Sequence, residues 1–584
     1  MSPWRRWDDM ALSLQCWIDR FTRKLRGVDP TLPSQRRFVI IQIDGLAHRH
    51  LELALKQGRM PFVRRLLQRG VVKETPFFCS LPTSTAAFQA GLFYGRIPNI
   101  PAWRYYDKRL QRQIHFPDPG DAALVESLEA EDATGLLKGG TCYGAVFSGD
   151  AETSVASFSR LYVPKLGFNW ETVWFFIPNV IVFWVLFKIA VLMIYELAYE
   201  LINSFLELIR YRQEWPSPRK ILYHLFFHVI WRQLLTMGVS TDIYRGIPRI
   251  FVNYLSYDVF AHKYGPSSRI AMRSLKAIDA SIRQIYRAVR RVPEYNYDVY
   301  ILSDHGMAEA ISFDQVSNTS LANLILGTLA TSRLEKECQQ PITAEMLKAN
   351  GFADQLHGLI RIREATAMLP LPLAKLCEKY LVKYKNKYVE LLSIQINLPK
   401  LLDEVKFVPA GPNILVYFTH KVDRVKVEEI EAYFPGLIAR LSRQPGIGII
   451  LAQDAEGAVY YWRGQQFRAD ANKIVVGCPF HNLTYRPLLM RAISELMNMP
   501  SAGDLIIYGN YGNGSGQGTI SYLGERGSHA GLSTDELFAF IIYPRKVEFA
   551  FERVTRPNEL YQFFSQYLTP VQQVVEDLRS RQRA

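Results

Sequence analysis

Three short apolar runs of the chain each have an aspartate at or just beyond their end. The runs cover residues 38–43, 249–257 and 299–302, and the aspartates are Asp44, Asp258 and Asp304. Continuous apolar runs of this length are typical of strands that are buried on both faces of a sheet. Apolar residues at helical spacing from Leu275 to Val289 predict a helix between the last two runs. The pattern therefore predicts a βαβ unit and a parallel sheet.

The three aspartates are expected at one edge of this sheet, because parallel strands share the edge at which they end. Carboxylates crowded in this way repel one another unless a cation lies between them. His262 follows Asp258 by four residues, and His305 follows Asp304 directly. Carboxylate oxygens together with imidazole nitrogens suit zinc, with manganese as the alternative. The sequence therefore predicts a metal centre at this edge.

Two further residues occupy positions suited to the same chemistry. Thr85 precedes a helical run from Ala86 to Phe93, which places it at a helix N-terminus, where backbone N–H groups favour an anion. His529 lies in the glycine-flanked segment 527–531. The complete candidate set is Asp44, Thr85, Asp258, His262, Asp304, His305 and His529.

The composition is that of a folded protein with a basic balance of charge. The 584 residues are 48% apolar and 21% charged, with a formal charge of +14, and a chain of this length is expected to form two or three structural units. No zinc-finger or RNA-binding signature accompanies the basic charge, so no nucleic-acid partner is expected. The six cysteines have no CxxC spacing, which argues against a thiolate metal cluster and for a reducing compartment.

A hydrophobic segment, residues 170–240, interrupts the strand-and-helix pattern. The run from Val173 to Tyr195 is apolar except at two positions, and as a helix it would extend roughly 35 Å, enough to span a bilayer. A second helical run, from Ile221 to Met237, carries more polar residues and is a poor candidate for spanning. We predict a helical hairpin inserted into the catalytic domain.

The N-terminal segment, residues 1–30, is predicted to contain a basic amphipathic helix. Met10, Leu14 and Trp17 share one face of it, and arginines and lysines are interspersed. Helices of this kind bind anionic membrane surfaces. Docking on the protein's own domain is the alternative.

The topology of the hairpin restricts how it can meet a membrane. Both of its ends return to the same domain, so a single crossing is excluded. We favour a monotopic attachment at the cytoplasmic face of the inner or plasma membrane. The alternatives are an integral hairpin with an extracytoplasmic catalytic domain and a buried hairpin that mediates dimerisation.

The remaining segments complete the predicted organisation. They are a catalytic core in three parts, 36–165, 245–315 and 476–550, a helical and α+β cap, 316–475, and a C-terminal helix, 551–584. Residues 505–508 are predicted as a strand of the core. The glycine-rich stretch 509–518 lacks the Lys-Ser/Thr of a P-loop and is predicted as a mobile loop.

Five motifs along the chain carry a resemblance to a known family. They are Ile-Asp-Gly at 43–45, Pro-Thr-Ser-Thr-Ala-Ala at 82–87, Asp-Val-Phe-Ala-His-Lys-Tyr-Gly-Pro at 258–266, Ser-Asp-His-Gly-Met at 303–307 and Gly-Ser-His-Ala-Gly at 527–531. In this order they resemble the alkaline phosphatase superfamily, and more closely its type I phosphodiesterase/nucleotide pyrophosphatase branch. The resemblance covers residues 36–165 and 245–545. It implies an α/β fold in which helices flank a mostly parallel central sheet.

The resemblance also implies a role for each candidate residue. Asp258, His262 and His529 would hold one divalent metal ion, and Asp44, Asp304, His305 and the Thr85 hydroxyl would hold the other. Thr85 matches the threonine nucleophile of this branch and would form a covalent phospho-enzyme, with Ser84 and Thr83 as alternatives.

Two departures from the branch are visible in the sequence. Thr85 is followed by Ala-Ala-Phe, whereas the nucleotide pyrophosphatases continue with Phe-Pro-Asn. They also place an asparagine downstream that helps to hold the phosphoryl oxygens, and Asn99 is a candidate counterpart at a different spacing. The Cys-x-Pro-x-Arg pattern of sulfatases is missing, which argues against a sulfatase.

We therefore expect a membrane-associated, two-metal phosphodiesterase or nucleotide pyrophosphatase. Its substrate would be a phosphodiester or pyrophosphate, either soluble or lipid-linked. The alternatives are a phosphomonoesterase or lipid-headgroup phosphotransferase of the same superfamily and, more remotely, a non-catalytic membrane scaffold.

Overall fold

The computed structural model describes seven stretches of the chain and six isolated positions near its start. The stretches are 36–161, 180–211, 218–317, 321–338, 404–473, 476–510 and 518–568, and the isolated positions are 7, 10, 11, 13, 14 and 17. The chain divides into two compact units. Unit 1 comprises residues 1–98, 115–309 and 534–584, and unit 2 comprises residues 99–114 and 310–533.

The described strands and helices follow one another in a mixed order. The strands are β1 Arg37–Ile43, β2 Val72–Phe78, β3 Arg104–Asp107, β4 Arg112–His115, β5 Thr141–Tyr143, β6 Thr153–Val155, β7 Arg249–Tyr254, β8 Tyr297–Leu302, β9 Ala308–Ser312, β10 Val405–Pro409, β11 Asn413–Phe418, β12 Ile447–Asp454, β13 Gly457–Trp462, β14 Gln465–Arg468, β15 Leu505–Gly509, β16 Thr519–Ser521, β17 Gly527–Ser528 and β18 Phe538–Pro544. The helices are α1 His48–Lys56, α2 Pro61–Gln68, α3 Thr85–Tyr94, α4 Pro119–Glu129, α5 Val180–Tyr211, α6 Pro218–Leu225, α7 Arg232–Arg245, α8 Ser256–Tyr264, α9 Arg269–Arg291, α10 Phe313–Ser317, α11 Leu321–Cys338, α12 Val427–Tyr433, α13 Leu437–Leu441, α14 Arg486–Asn498, α15 Thr534–Leu537 and α16 Pro557–Ser565.

Unit 1 is built on a seven-stranded sheet with the order β2-β18-β8-β1-β7-β5-β6. Strand β1 runs parallel to both β7 and β8, with Ile43 opposite Tyr254 and Gln42 opposite Leu302. Strand β18 is antiparallel to its neighbours β2 and β8. The predicted α/β class with a mostly parallel central sheet is confirmed.

The sheet is covered by helices whose apolar faces continue its core. All residues of β1 are buried, as expected for a strand with both faces covered. Helix α9 begins at Ser268, whose side chain accepts a hydrogen bond from Ala271 N at 3.2 Å, a typical N-cap. Leu275 and Ile282 on its inner face are fully buried. The predicted helix of the βαβ unit is therefore present.

One predicted strand end is wrong, and the error concerns a candidate ligand. The apolar run 249–257 was predicted as a strand up to Asp258, but β7 ends at Tyr254 and the chain enters helix α8 at Ser256. Asp258 lies in the first turn of that helix. Asp258 and His262 are consequently four residues apart on one helical face.

Unit 2 contains a six-stranded sheet with the order β10-β11-β15-β12-β13-β14. The run 505–508, predicted as a core strand, forms β15 in this sheet, antiparallel to β11 and β12. An apolar run shows that a strand is buried but not which sheet it joins. For this reason the prediction assigned residues 505–508 to the wrong sheet. Helices α12 and α13 of this unit are separated at Gly436, whose φ is +68°.

The described part of the inserted segment is helical and packs within unit 1. Val185 and Ile189 of α5 are buried in the same apolar core as α9. Arg273 donates hydrogen bonds from Nη1 and Nη2 to the two carboxylate oxygens of Glu196, at 2.6 and 2.7 Å. A π-helical segment, Phe226–Trp231, joins α6 to α7. Over the described part of the chain, no helix combines the length and apolarity required to cross a membrane.

Several predicted segments extend outside the described residues. They are most of the N-terminal segment 1–30, residues 170–179 and 212–217 of the hairpin, 339–403 of the cap, 511–517 of the glycine-rich stretch and 569–584 of the C-terminal helix.

Candidate functional site

Two adjacent strands of unit 1 deliver three of the candidate ligands to one point. Asp44 follows β1, and Asp304 and His305 follow β8, which pairs with β1 in parallel. One ligand atom from each side chain lies within 4.8 Å of the others. All three residues are buried, with exposures of at most 1%. The predicted convergence at the carboxyl edge of the sheet is present in the structure.

Thr85 lies against this cluster at the start of helix α3. Its Oγ1 donates a hydrogen bond to Asp44 Oδ1 at 3.2 Å and lies 3.2 Å from His305 Nε2. Thr85 is the first residue of the helix, and the side chain of the N-cap residue, Ser84, makes no capping hydrogen bond. The first-turn backbone N–H groups and the positive end of the helix dipole therefore lie beside the Thr85 hydroxyl.

The backbone and neighbouring side chains orient the carboxylates of the cluster. Asn253 Nδ2 donates to Asp44 Oδ2 at 2.6 Å. The backbone N–H of Gly45 donates to Asp304 Oδ1 at 3.1 Å. Each carboxylate is thus held through one oxygen, which leaves its other oxygen directed to the cluster.

The imidazole of His305 is oriented by its own loop. Its Nδ1 lies 3.0 Å from the Gly306 carbonyl oxygen. A carbonyl oxygen can only accept, so Nδ1 carries the proton and Nε2 has a free lone pair. Nε2 lies 3.3 Å from Asp304 Oδ2. This arrangement is the one in which a histidine binds a metal through Nε2.

The electrostatics of the cluster favour a cation. Burial, with the nearby Asp304 carboxylate, raises the pKa of Asp44 well above its usual range. Burial raises the pKa of Asp304 to about 7 and lowers the pKa of His305 to about 3. Asp304 Oδ2 is buried and has no hydrogen-bond partner among the described residues. Two crowded carboxylates, an orphaned oxygen and a neutral imidazole fit a divalent cation such as zinc.

A second pair of candidate ligands lies next to the first cluster. His262 Nε2 is 3.5 Å from Asp258 Oδ2 on helix α8. Gly45 has a φ of +69°, and a Cβ atom at this position would lie 2.5 Å from Asp258 Oδ1. Only glycine permits both that φ and that close approach. His529, predicted as the third ligand of this pair, belongs to unit 2, and its role stays a prediction.

Asn99 and Lys108 both have structural partners in unit 2. The amide of Asn99 is fully used: Nδ2 donates to Ser501 Oγ, and Oδ1 accepts from Ser501 N, both at 2.9 Å. Asn99 therefore has no free amide group to offer a phosphoryl oxygen. Lys108, 9% exposed, forms an ion pair with Asp504 at 2.7 Å.

Asn253 is the functional residue that the sequence analysis missed. It is the only polar residue in the run Ile250 to Leu255, and it is completely buried. A single amide in an otherwise apolar strand that ends at a predicted site was the available signal.

Comparisons with known proteins agree with the motifs. A family model described as type I phosphodiesterase/nucleotide pyrophosphatase matches residues 224–338, which include Asp258, His262, Asp304 and His305. This family is metal-dependent. No curated protein matches the chain.

Two solved structures are distantly similar to this chain over most of its length. A phosphonoacetate hydrolase from Sinorhizobium meliloti 1021, in complex with phosphonoformate, is 12% identical with a TM-score of 0.43, over 92% of this chain and 96% of that one. Murine ectonucleotide pyrophosphatase/phosphodiesterase 5 is 11% identical with a TM-score of 0.41, over 92% of this chain and 96% of that one. Similarities this distant carry no argument about activity. The family-model match over residues 224–338 confirms the resemblance predicted from the motifs and supports a phosphoric ester hydrolase.

Proposed function

We propose that this hydrolase is a two-metal phosphodiesterase or nucleotide pyrophosphatase with Thr85 as its nucleophile. The observation that carries the proposal is the position of the Thr85 hydroxyl. Its oxygen lies 3.2 Å from both Asp44 Oδ1 and His305 Nε2, at the N-terminus of a fully buried helix. A nucleophile, a proton acceptor and N–H donors for an anion thus meet at one point.

The candidate ligands divide into two sets. Asp44, Asp304, His305 and Thr85 would hold one ion, and Asp258, His262 and His529 the other. Two nearby divalent ions would supply charge stabilisation for the phosphoryl oxygens and would favour the deprotonated threonine. Zinc suits these ligands, and manganese is the alternative.

The residues of the chain account for the transfer itself. Thr85 Oγ1 forms a bond to phosphorus, and its proton passes to Asp44 Oδ1. The bond from phosphorus to the leaving-group oxygen breaks, and that oxygen takes the electron pair and then a proton from water. The N-terminus of α3 stabilises the negative charge on the phosphoryl group. Water then hydrolyses the threonine phosphoester.

Activity on an aryl phosphodiester tests the nucleophile. Thr85→Ala should lose essentially all metal-dependent hydrolysis, whereas Thr85→Ser should retain part of it because the hydroxyl is kept. Ser84→Ala and Thr83→Ala are matched controls in the same loop and should remain active. Full activity of Thr85→Ala would contradict the assignment of Thr85 as the nucleophile. Relative rates on an aryl monoester and the diester identify the preferred ester.

We also propose that the enzyme attaches to an anionic lipid surface. The exposed residues described on helix α5 are all apolar or aromatic: Leu186, Phe187, Ala190, Ile194, Tyr195, Leu197, Ala198, Leu201 and Ile202. The Trp7 ring stacks on Trp184 with centroids 5.9 Å apart, and Met10, Leu14 and Trp17 are also exposed. Basic residues adjoin both segments in the sequence, among them Arg23, Lys24, Arg219 and Lys220. An apolar face bordered by basic residues suits an anionic leaflet.

Flotation with vesicles tests this attachment. The variant Phe187→Asp/Ile194→Asp/Leu201→Asp should no longer float with phosphatidylglycerol vesicles, because binding would bring three charges into the apolar layer of the membrane. The control Ile97→Asp/Leu110→Asp/Leu128→Asp changes equally exposed apolar residues elsewhere and should still float. Equal flotation of the two variants would contradict the proposal, as would a wild-type chain that stays unbound.

A further inference from the structure

A cleft between helices α2 and α9 of unit 1 is lined mainly by arginine. Its volume is about 930 Å³, and seven of its fourteen lining residues are arginines. On the α2 side these are Arg64, Arg65 and Arg69. On the α9 side they are Arg283, Arg287, Arg290 and Arg291. No acidic residue is among the lining residues.

The two walls of the cleft are fixed to each other by a buried aspartate. Asp279 of α9 accepts hydrogen bonds from Phe62 N and Val63 N at 2.9–3.1 Å, which satisfies the N-terminal N–H groups of α2. The rings of Phe62 and Tyr286 meet edge to face at 5.4 Å. These contacts fix the separation of the two helices that carry the arginines. Asp279 is engaged by the backbone and does not line the cleft.

Part of the positive charge of the cleft has no carboxylate partner among the described residues. Arg64, Arg69 and Arg290 form no ion pair among the described residues, and all three are exposed. Like charges confined to one cleft repel one another and create a positive potential that concentrates anions. The charge distribution is therefore that of an anion-binding site.

We propose that this cleft binds clustered phosphate groups at a site separate from the Thr85 cluster. The guanidinium group is planar and always charged, and it matches phosphate with paired N–H donors. Seven of them exceed what one phosphate can engage, so the ligand carries several phosphates or presents many at a surface. Two sources share this chemistry: a soluble polyphosphate and the headgroups of a phospholipid surface. Arg283 and Arg287 also line a smaller cavity with Leu192 and Tyr195 of α5, so the arginine cleft adjoins that helix.

Matched charge variants test the proposal. Arg64→Gln/Arg69→Gln/Arg290→Gln removes three cleft arginines, and Arg96→Gln/Arg109→Gln/Arg160→Gln removes three exposed arginines that do not line it. Binding of tripolyphosphate is measured by calorimetry, and binding of vesicles by sedimentation. The vesicles are phosphatidylcholine with or without phosphatidylglycerol. Both variants change the net charge equally, so a difference between them reports the cleft rather than the overall charge.

The cleft variant should bind at least one of the two probes about tenfold more weakly than the control variant. Weaker binding of tripolyphosphate by the cleft variant indicates a soluble ligand. Weaker binding of phosphatidylglycerol vesicles alone indicates that the ligand is the lipid headgroups. Hydrolysis of an aryl phosphodiester should be unchanged in both variants, and Thr85→Ala should bind both probes normally, so failure here is distinct from failure of the proposed nucleophile. Equal binding by the cleft and control variants with both probes would overturn the proposal.

Discussion

Asn253 donates its side-chain N–H to Asp44 Oδ2 across 2.6 Å, from the strand that lies next to β1. It is a positioning residue, because it acts on the site through Asp44. Asn253→Ala should weaken zinc binding about 10- to 100-fold, the usual consequence of losing a hydrogen bond to a ligand. Competition with a chelator measures this. Gln42→Ala, a buried amide on β1, should leave zinc affinity unchanged, and equal losses in the two variants would refute the positioning role.

Gly45→Ala should damage the site beyond its effect on the fold. The residue has a φ of +69°, and the new Cβ would lie 2.5 Å from Asp258 Oδ1. Gly58→Ala is the matched control, since its φ is +66° and nothing lies within 4 Å of its Cβ. Both variants should lose about 1 kcal/mol of unfolding free energy from the left-handed backbone. Only Gly45→Ala should lose diester hydrolysis, and an active Gly45→Ala would disprove the need for that close approach.

Lys108→Met should strongly destabilise unit 2. Burial lowers the pKa of Lys108 and raises the pKa of Asp504, and removal of the lysine leaves a carboxylate that is 1% exposed without its cation. Loss of one partner of a buried pair costs about 3–5 kcal/mol, measurable by denaturant unfolding. Lys421→Met breaks the exposed pair with Glu429 and should change little. Similar unfolding curves for the two variants would contradict the assignment of Lys108 as a structural residue.

The pair between His48 and Glu74 should make stability depend on pH. Glu74 lies 2.9 Å from His48 Nε2 and raises the pKa of the imidazole above 6.5. A histidine whose pKa is raised in the folded state stabilises the protein fully when the pH is below its ordinary pKa of 6.5. This stabilisation is lost as the pH rises through the raised pKa. The difference in unfolding free energy between wild type and His48→Gln should therefore be larger at pH 6 than at pH 9. A difference that does not change with pH would count against this pair.

The core strands β1 and β8 were predictable because burial on both faces leaves a pattern in the sequence. The runs that became β1 and β8 are apolar throughout, and each stops where Asp44 or Asp304 begins the site. The same signal misplaced β15, because its apolar residues fit either sheet equally well. The extent of β7 was also overestimated, since an apolar run does not show where a strand gives way to a helix.

The sequence by itself determined the α/β class, the edge at which polar groups gather and three of the groups there, Asp44, Asp304 and His305. Only the tertiary structure decided how they are held: that Asn253 fixes Asp44, that Gly45 admits Asp258, and that the arginines of α2 and α9 face one cleft. Burial and chain direction are local properties that a hydrophobic pattern records. Contacts between segments hundreds of residues apart, such as Asp44 with Asn253, depend on packing, which no local pattern encodes.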